Sequence, residues 1–182
     1  MKFERQAIAD LVVVYPQVFG DDRGFFLETR HEKRFAEAGI DAHFVQENHS
    51  MSRRGVLRGL HYQIHQPQGK LVRVVVGEVF DVAVDLRRSA PTFGKWVGVN
   101  LSAENKCSFW IPPGFAHGFY VLSETAQFVY SCTDFYAPQH ERCVLWCDPD
   151  LAIKWPLDPS TPPTLSEKDK AGTPFSKAEC YP

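Results

Sequence analysis

The chain has 182 residues, of which 44% are hydrophobic and 23% are charged. This is ordinary globular composition, and the length suits a single domain over residues 1–182 with a sizeable core. The formal net charge of -2 excludes a strongly basic surface, so we expect no nucleic-acid and no membrane partner. The chain carries no apolar leader or long apolar run, and its five cysteines lack CxxC spacing. We therefore expect reduced thiols and a cytoplasmic protein.

The strand candidates are short apolar runs separated by Gly, Pro, Asn and Asp. The clearest two lie on either side of the dipeptide Gly77-Glu78. In the second of them, residues 79–86, large apolar side chains alternate with Asp81 and Asp85, as on the two faces of one strand. The further candidates, in chain order, are Leu11–Val14, Lys95–Leu101, Lys106–Trp110, Gly118–Leu122, Ala126–Cys132 and Val144–Cys147.

Helical signals are sparse. Thr29 and Glu32 have the spacing of a capping box, and Gly39 lies where a helix of about ten residues would end. A second box, Ser166–Asp169, predicts a short C-terminal helical turn. Many short strands with few helices predict an all-β fold, a cupin or jelly-roll antiparallel β-barrel with a few short peripheral helices. Such folds bind ligands in the mouth of the barrel.

Two Gly-punctuated segments each carry one histidine into a strand-like run: Gly55–Gln63 contains His61, and Pro112–Phe119 contains His117. Histidine either transfers protons near neutral pH or binds a metal. The next histidine, His65, would lie roughly 13 Å from His61 along an extended strand, too far to share one ion. We therefore favour metal-free acid–base chemistry. A metal-dependent cupin isomerase or oxygenase that uses all three histidines is the distant alternative.

Other candidates have structural roles that the local sequence allows equally well. Tyr130, in a strand candidate, is either a buried tyrosine with a satisfied hydroxyl or a proton donor. Tyr136 is a rival donor, or a stacking surface for a planar ring. Asp169, at the fourth position of its box, either caps a helix or orients His61. Spacing alone leaves these alternatives open.

Several cations accompany the two histidines. Arg58 lies three residues before His61, and Lys70 follows on the next run. Arginine forms forked contacts with phosphate, and lysine acts as a point charge. Each cation taken alone is typical of a solvated surface, but together they indicate an anionic ligand.

At these residues the chain resembles the dTDP-4-dehydrorhamnose 3,5-epimerases, a cupin-fold family of dTDP-L-rhamnose biosynthesis. The resemblance implies inversion of C3 and C5 in dTDP-4-dehydro-6-deoxy-D-glucose, without a cofactor or metal. Both carbons neighbour the C4 ketone, so deprotonation gives an enolate that is reprotonated from the opposite face. The matching stretches span nearly the whole chain and are Asp22–Phe26, Gln46–Ser50, Gly55–Gln63, Gly69–Val74, Gly77–Arg87, Ser89–Gly94, Pro112–Phe119, Tyr136–Glu141 and Leu165–Asp169.

The same resemblance implies roles for individual residues. His61 would be the base with Asp169 as its orienting partner, Tyr130 the proton donor, and Lys70 the group that stabilises the enolate oxygen. Tyr136 would lie near the thymine ring. Positions that match further substrate contacts of the family are Arg23, Glu28, Gln46, Glu47, Asn48, Arg58, His117, Glu141 and Lys168.

The resemblance also implies a homodimer with exchange of N-terminal strands. Related enzymes epimerise only C3, or only C5, with much the same residues. Such a narrower epimerase is therefore the nearest alternative function.

Overall fold

A computed structural model describes residues 1–182, and thirteen strands dominate it. The strands are β1 (Lys2–Arg5), β2 (Val12–Tyr15), β3 (Val18–Asp21), β4 (Gly24–Leu27), β5 (Gln46–Arg53), β6 (Leu57–Gln63), β7 (Lys70–Val76), β8 (Glu78–Asp85), β9 (Trp96–Ser102), β10 (Ser108–Ile111), β11 (Phe115–Val121), β12 (Thr125–Cys132) and β13 (Glu141–Cys143). Two short α-helices, α1 (Glu32–Glu37) and α2 (Glu167–Lys170), accompany two 3₁₀ turns, Pro138–His140 and Phe175–Lys177. Neither helix has the length and hydropathy needed to cross a bilayer.

The strands form two large antiparallel sheets and one separate hairpin. The six-stranded sheet has the order β1-β2-β10-β7-β12-β5, and the five-stranded sheet has the order β13-β6-β11-β8-β9. The hairpin consists of β3 and β4. The chain passes from one large sheet to the other at Gly77, between β7 and β8. The all-β jelly-roll prediction is confirmed, with two facing sheets that do not close into one continuous barrel.

The main core lies between the two large sheets, and the alternation of strand residues explains its composition. Val79 and Ala83 of β8 belong to this core, whereas Val82 and Val84 belong to a second cluster on the other face of the same strand. Asp81 therefore points between the sheets, and it is fully buried. The alternation predicted for this run is confirmed, and its polar face is the inward one.

Two outer layers cover the faces of the sheets that point away from the main core. The C-terminal segment packs Leu151 and Ala178 against the five-stranded sheet. On the six-stranded sheet, Phe35 of α1 packs in a cluster with Val12 and Trp110. These layers leave α2 beside β6, where it contributes a side chain to the site described below.

Three local predictions have different outcomes. Helix α1 ends as expected, because Gly39 takes a φ of 82° and the Ile40 N–H donates to the Phe35 carbonyl. The capping box at Thr29 is wrong: the chain stays extended through His31, so the helix has six residues instead of ten. The box at Ser166 and Asp169 is confirmed, with both reciprocal bonds present.

The strand predicted at Val144–Cys147 is wrong. The ladder with β6 covers Glu141–Cys143, and Val144, which still exchanges backbone hydrogen bonds with Leu60, forms an isolated bridge to Thr173. The next residues turn away because Leu145 N–H donates to the Thr173 carbonyl and Asp148 N–H donates back to Leu145.

The crossing at Gly77 gives a stability prediction. Gly77 has a φ of 76°, and an added Cβ would lie 2.0 Å from the Thr125 carbonyl oxygen. Gly39 has a similar φ of 82°, but its added Cβ would meet only the end of the Arg5 side chain at 3.1 Å. We expect Gly39→Ala to lower the free energy of unfolding by about 1 kcal/mol. Gly77→Ala should lower the free energy of unfolding by roughly 1–3 kcal/mol more, because the backbone at Thr125 must move to make room for the methyl group. Urea unfolding followed by tryptophan fluorescence measures both, and equal losses would contradict the clash.

Candidate functional site

A cavity of about 300 Å³ opens between the two large sheets. Its walls come from β5, β7 and β12 of one sheet, from β6 and β11 of the other, and from α2 with its cap. Seven of the residues predicted from sequence line it. The full lining is Ser50, Arg58, His61, Lys70, His117, Gly118, Phe119, Phe128, Tyr130, Ser166, Lys168 and Asp169.

His61 and Asp169 contact each other on one wall of this cavity. His61 Nε2 lies 2.9 Å from Asp169 Oδ1, with the side chains 28% and 3% exposed. Burial alone would raise the pKa of Asp169, but contacts from His61, Ser166 and the Gly59 N–H lower it well below its ordinary value. The carboxylate therefore stays ionised beside the imidazole. The predicted orienting contact is present, and Asp169 also caps α2.

Glycines on β6 and β11 bring the two histidine strands close together. A Cβ at Gly59, whose φ is 128°, would lie 2.5 Å from Gly118 Cα. A side chain at either position would push the strands apart. With both glycines in place, His61 lies directly opposite His117 in the strand register, and a register irregularity follows between His117 and Phe119.

His117 forms a second pair, with Asp81. Its Nε2 lies 3.0 and 2.9 Å from the two carboxylate oxygens of Asp81, and both residues are buried. Burial raises the pKa of Asp81, and the contact with His117 opposes that rise. Sequence reasoning missed Asp81 as a site residue. One sign of this role is present in the sequence, because Asp81 lies on a strand face that also carries apolar residues of the core.

Tyr130 and Lys70 lie on the sheet that faces His61. Burial raises the pKa of the Tyr130 phenol, so this side chain is protonated at neutral pH. Burial lowers the pKa of Lys70. Phe119 and Phe128 stack with centroids 4.4 Å apart and form the apolar part of the wall. Chemically, a histidine–carboxylate pair, a phenol and a lysine amine around one cavity are able to act as a base, an acid and a stabiliser of developing negative charge.

A second group of predicted residues is joined at the edge of the cavity. Tyr136 Oη donates to Glu141 Oε2 at 2.6 Å, and Lys168 forms an ion pair with the same carboxylate. The Tyr136 N–H donates to Gln46 Oε1 at 2.9 Å, and Gln46 donates to Asn48. Tyr136 is 51% exposed, so its side chain is accessible to a ligand.

Three predicted residues are not brought to the cavity within one chain. Glu47 points to the other face of β5, where it accepts a hydrogen bond from Ser131 Oγ. Arg23 pairs with Asp21 on the exposed β3–β4 hairpin. Glu28, just after that hairpin, pairs with Arg34 of α1.

The three histidines of the metal hypothesis do not converge. His65 lines a different cavity, near the C-terminus, and its ring packs edge-on against His140 with centroids 5.1 Å apart. The side chains of metal-ligand type that do lie together are His61, Cys143 and Asp169, whose ligand atoms are within 4.8 Å of one another. Two of these three, His61 and Asp169, already contact each other.

Comparisons with known proteins point to a single family. Residues 5–177 match the model of a family described as dTDP-4-dehydrorhamnose 3,5-epimerase. The enzyme of that name from Pseudomonas aeruginosa is 63% identical, over 100% of both chains. The one from Shigella flexneri is 56% identical, over 100% of this chain and 99% of the relative.

Among solved structures, a dTDP-6-deoxy-D-glucose-3,5-epimerase from Legionella pneumophila in complex with dTDP-4-keto-L-rhamnose superposes with a TM-score of 0.94. It is 54% identical, and the match covers 98% of this chain and 94% of that chain.

The state of the buried phenol can be measured directly. We expect Tyr130 to ionise above the ordinary tyrosine pKa of about 10, because burial disfavours the phenolate. Subtracting the ultraviolet tyrosinate titration of Tyr130→Phe from that of the unchanged protein isolates this residue. A midpoint at or below the ordinary value would contradict the environment described here.

Proposed function

The chain belongs to the dTDP-4-dehydrorhamnose 3,5-epimerase family of isomerases, and on this basis we propose that the His61 cavity inverts C3 and C5 of dTDP-4-dehydro-6-deoxy-D-glucose by proton transfer. The product is dTDP-4-dehydro-L-rhamnose, an intermediate of dTDP-L-rhamnose biosynthesis. One observation carries the proposed mechanism. His61, beside the ionised carboxylate of Asp169, and the protonated phenol of Tyr130 line the same cavity from opposite sides.

His61 is the base of this mechanism. It removes the proton from C3 or C5, each of which is acidified by the neighbouring C4 ketone, and becomes an imidazolium. Asp169, ionised and 2.9 Å away, stabilises that positive charge and fixes the ring. The electron pair of the broken C–H bond moves into the enolate.

Tyr130 returns the proton. It lies on β12 and His61 lies on β6, so the base and the acid belong to different sheets. A sugar held between the sheets meets them on opposite faces, and proton return from Tyr130 inverts the carbon. Exchange with solvent then restores the phenol and the neutral imidazole, so the cycle has no net proton change and no oxidation. Such a reaction needs no redox cofactor.

Positive charge at the ketone oxygen stabilises the enolate. Lys70 supplies an ammonium group on the wall, and His117, held by Asp81, supplies a second donor. Arg58 and Lys168 lie on the same cavity wall and suit the diphosphate. The exposed side chain of Tyr136 suits the thymine ring.

We also propose a homodimer in which the β3–β4 hairpin serves the partner subunit. The hairpin pairs only with itself, and Phe19, Phe25 and Phe26 on it are 60%, 64% and 70% exposed. Exposed aromatic patches of this kind mark protein interfaces. Arg23, a residue at a substrate-contact position of the family, lies on this hairpin and away from its own subunit's cavity.

Two further proposals concern the chain as a whole. Both large sheets share one core, which supports a single epimerase domain over residues 1–182. All five cysteines are free thiols, which suits a reducing compartment and therefore the cytoplasm.

Proton exchange tests the base. In heavy water we expect deuterium from solvent to enter both C3 and C5 of dTDP-4-dehydro-6-deoxy-D-glucose, and His61→Ala to abolish entry at both. His65→Ala is the matched control, because His65 lies in a different cavity, and it should exchange normally. Mass spectrometry and proton NMR report which carbons react. Exchange at one carbon only would indicate the narrower epimerase, and exchange that survives His61→Ala would refute the assigned base.

Proton return tests the acid. We expect Tyr130→Phe to retain more proton exchange than epimerisation, because removal by His61 survives while return from the opposite face fails. The two rates are compared in one heavy-water reaction. Tyr136→Phe, which removes the other candidate phenol, should keep the two rates in their normal ratio. Equal loss of exchange and inversion in Tyr130→Phe would mean that Tyr130 is not the donor.

Sedimentation tests the dimer. We expect the protein to sediment at twice its chain mass of 20.7 kDa. The double substitution Phe25→Glu with Phe26→Glu should produce monomers, because charge would be buried at the interface. Phe135→Glu, at a 61% exposed position outside the hairpin, is the control. A monomeric unchanged protein, or a variant that dimerises normally, would contradict this arrangement.

A further inference from the structure

The Asp169 carboxylate joins a helix cap to the proposed base, and each of its oxygens has its own partners. Oδ1 lies 2.9 Å from His61 Nε2 and accepts the Gly59 N–H at 3.0 Å. Oδ2 accepts the Ser166 hydroxyl at 2.5 Å and the Ser166 N–H at 3.2 Å. The hydroxyl and the imidazole therefore contact opposite oxygens of one buried carboxylate.

This division of partners restricts the rotation of the carboxyl group. A carboxylate that contacted His61 alone could turn about its Cβ–Cγ bond and lose the alignment of Oδ1 with the imidazole. A donor on each oxygen holds the plane of the carboxyl group in one orientation. Gly59 and His61 lie on β6, whereas Ser166 precedes α2, so the plane is held from two separate elements.

The packing of α2 indicates what this cap is for. Helix α2 has four residues, and the only one it buries is Asp169. A helix this short has little stability of its own and adds no apolar side chain to the core. The Ser166 cap therefore acts mainly on the position of that carboxylate.

We propose that Ser166 is a positioning residue for catalysis, whose hydroxyl holds Asp169 Oδ2 so that Oδ1 faces the base His61. The proposal rests on the proposed function of the His61–Asp169 pair. Ser166 lines the cavity but takes no part in proton transfer itself. It acts on the reaction only through Asp169.

Substitutions at Ser166 can separate the effect of its hydroxyl from its effect as the N-cap residue of α2. Ser166→Gly removes the hydroxyl but keeps a residue type that is well accepted at a helix N-cap. Ser166→Thr keeps the hydroxyl. Ser160 provides a matched control, because its hydroxyl donates to Asp158 at 2.6 Å in an equivalent Ser–Asp contact on the exposed surface.

We expect Ser166→Gly to lower kcat for epimerisation by about 10- to 100-fold, in line with the cost of misplacing a catalytic group. KM should change little, since substrate binding is not affected. Ser166→Thr should restore most of kcat, and Ser160→Gly should leave it unchanged. A normal kcat in Ser166→Gly would overturn the proposal, as would a change confined to KM.

A double substitution distinguishes positioning through Asp169 from a general structural effect. In an Asp169→Asn background, Ser166→Gly should lower kcat no further, because the carboxylate it positions is already gone. The same factor of loss in both backgrounds would overturn the proposal.

The heavy-water experiment with His61→Ala distinguishes failure of the Ser166 proposal from failure of the proposed function. If that variant loses exchange while Ser166→Gly is normal, only the role of Ser166 fails, whereas exchange without His61 removes the function on which it rests.

Discussion

The site depends on one buried charge, the carboxylate of Asp169. An ionised carboxylate away from water is unfavourable unless donors surround it, and here His61, Gly59 and Ser166 supply them. The contact fixes β6 against α2 and holds a negative charge beside the imidazole. The proposed base, the local strand geometry and the C-terminal helix therefore share a single interaction. Loss of that charge would affect all three together.

The jelly roll places the proposed base and the proposed acid on opposite walls. His61 and His117 come from neighbouring strands of the five-stranded sheet, and Tyr130 and Lys70 come from neighbouring strands of the six-stranded sheet. Inversion of a carbon requires proton removal and return on opposite faces of the sugar, and two facing sheets can present a base and an acid from opposite sides. Glycine at position 59 permits the close strand approach on which the histidine wall depends.

Much of this arrangement could be predicted from the sequence because it is local. Strand alternation, the Ser166 box and the two histidine segments are all encoded within a few residues. Local spacing allows Asp169 to be either a cap or an orienting partner, and the structure contains both contacts, since its two oxygens have different neighbours. Asp81 was missed because its partner, His117, is distant in sequence, and because both faces of β8 carry apolar residues, so the alternation does not show which face points inward.

Other differences between the sequence predictions and the structure also arise from contacts between residues that are far apart in the chain. The strand predicted at Val144–Cys147 is absent because Thr173, far along the chain, hydrogen-bonds to Cys143 and Leu145 and the chain turns away. Arg23 and Glu28 resemble substrate contacts but lie away from the cavity in one subunit, which local sequence could not indicate and which a partner subunit would explain.

The central claim is that His61 and Tyr130 address opposite faces of the bound sugar, and a crystal structure with dTDP-4-dehydro-L-rhamnose tests it most directly. We expect C3 or C5 within about 3.5 Å of a His61 ring nitrogen on one face, with Tyr130 Oη at a similar distance on the other. A sugar that has both side chains on one face, or that lies outside this cavity, would contradict the account.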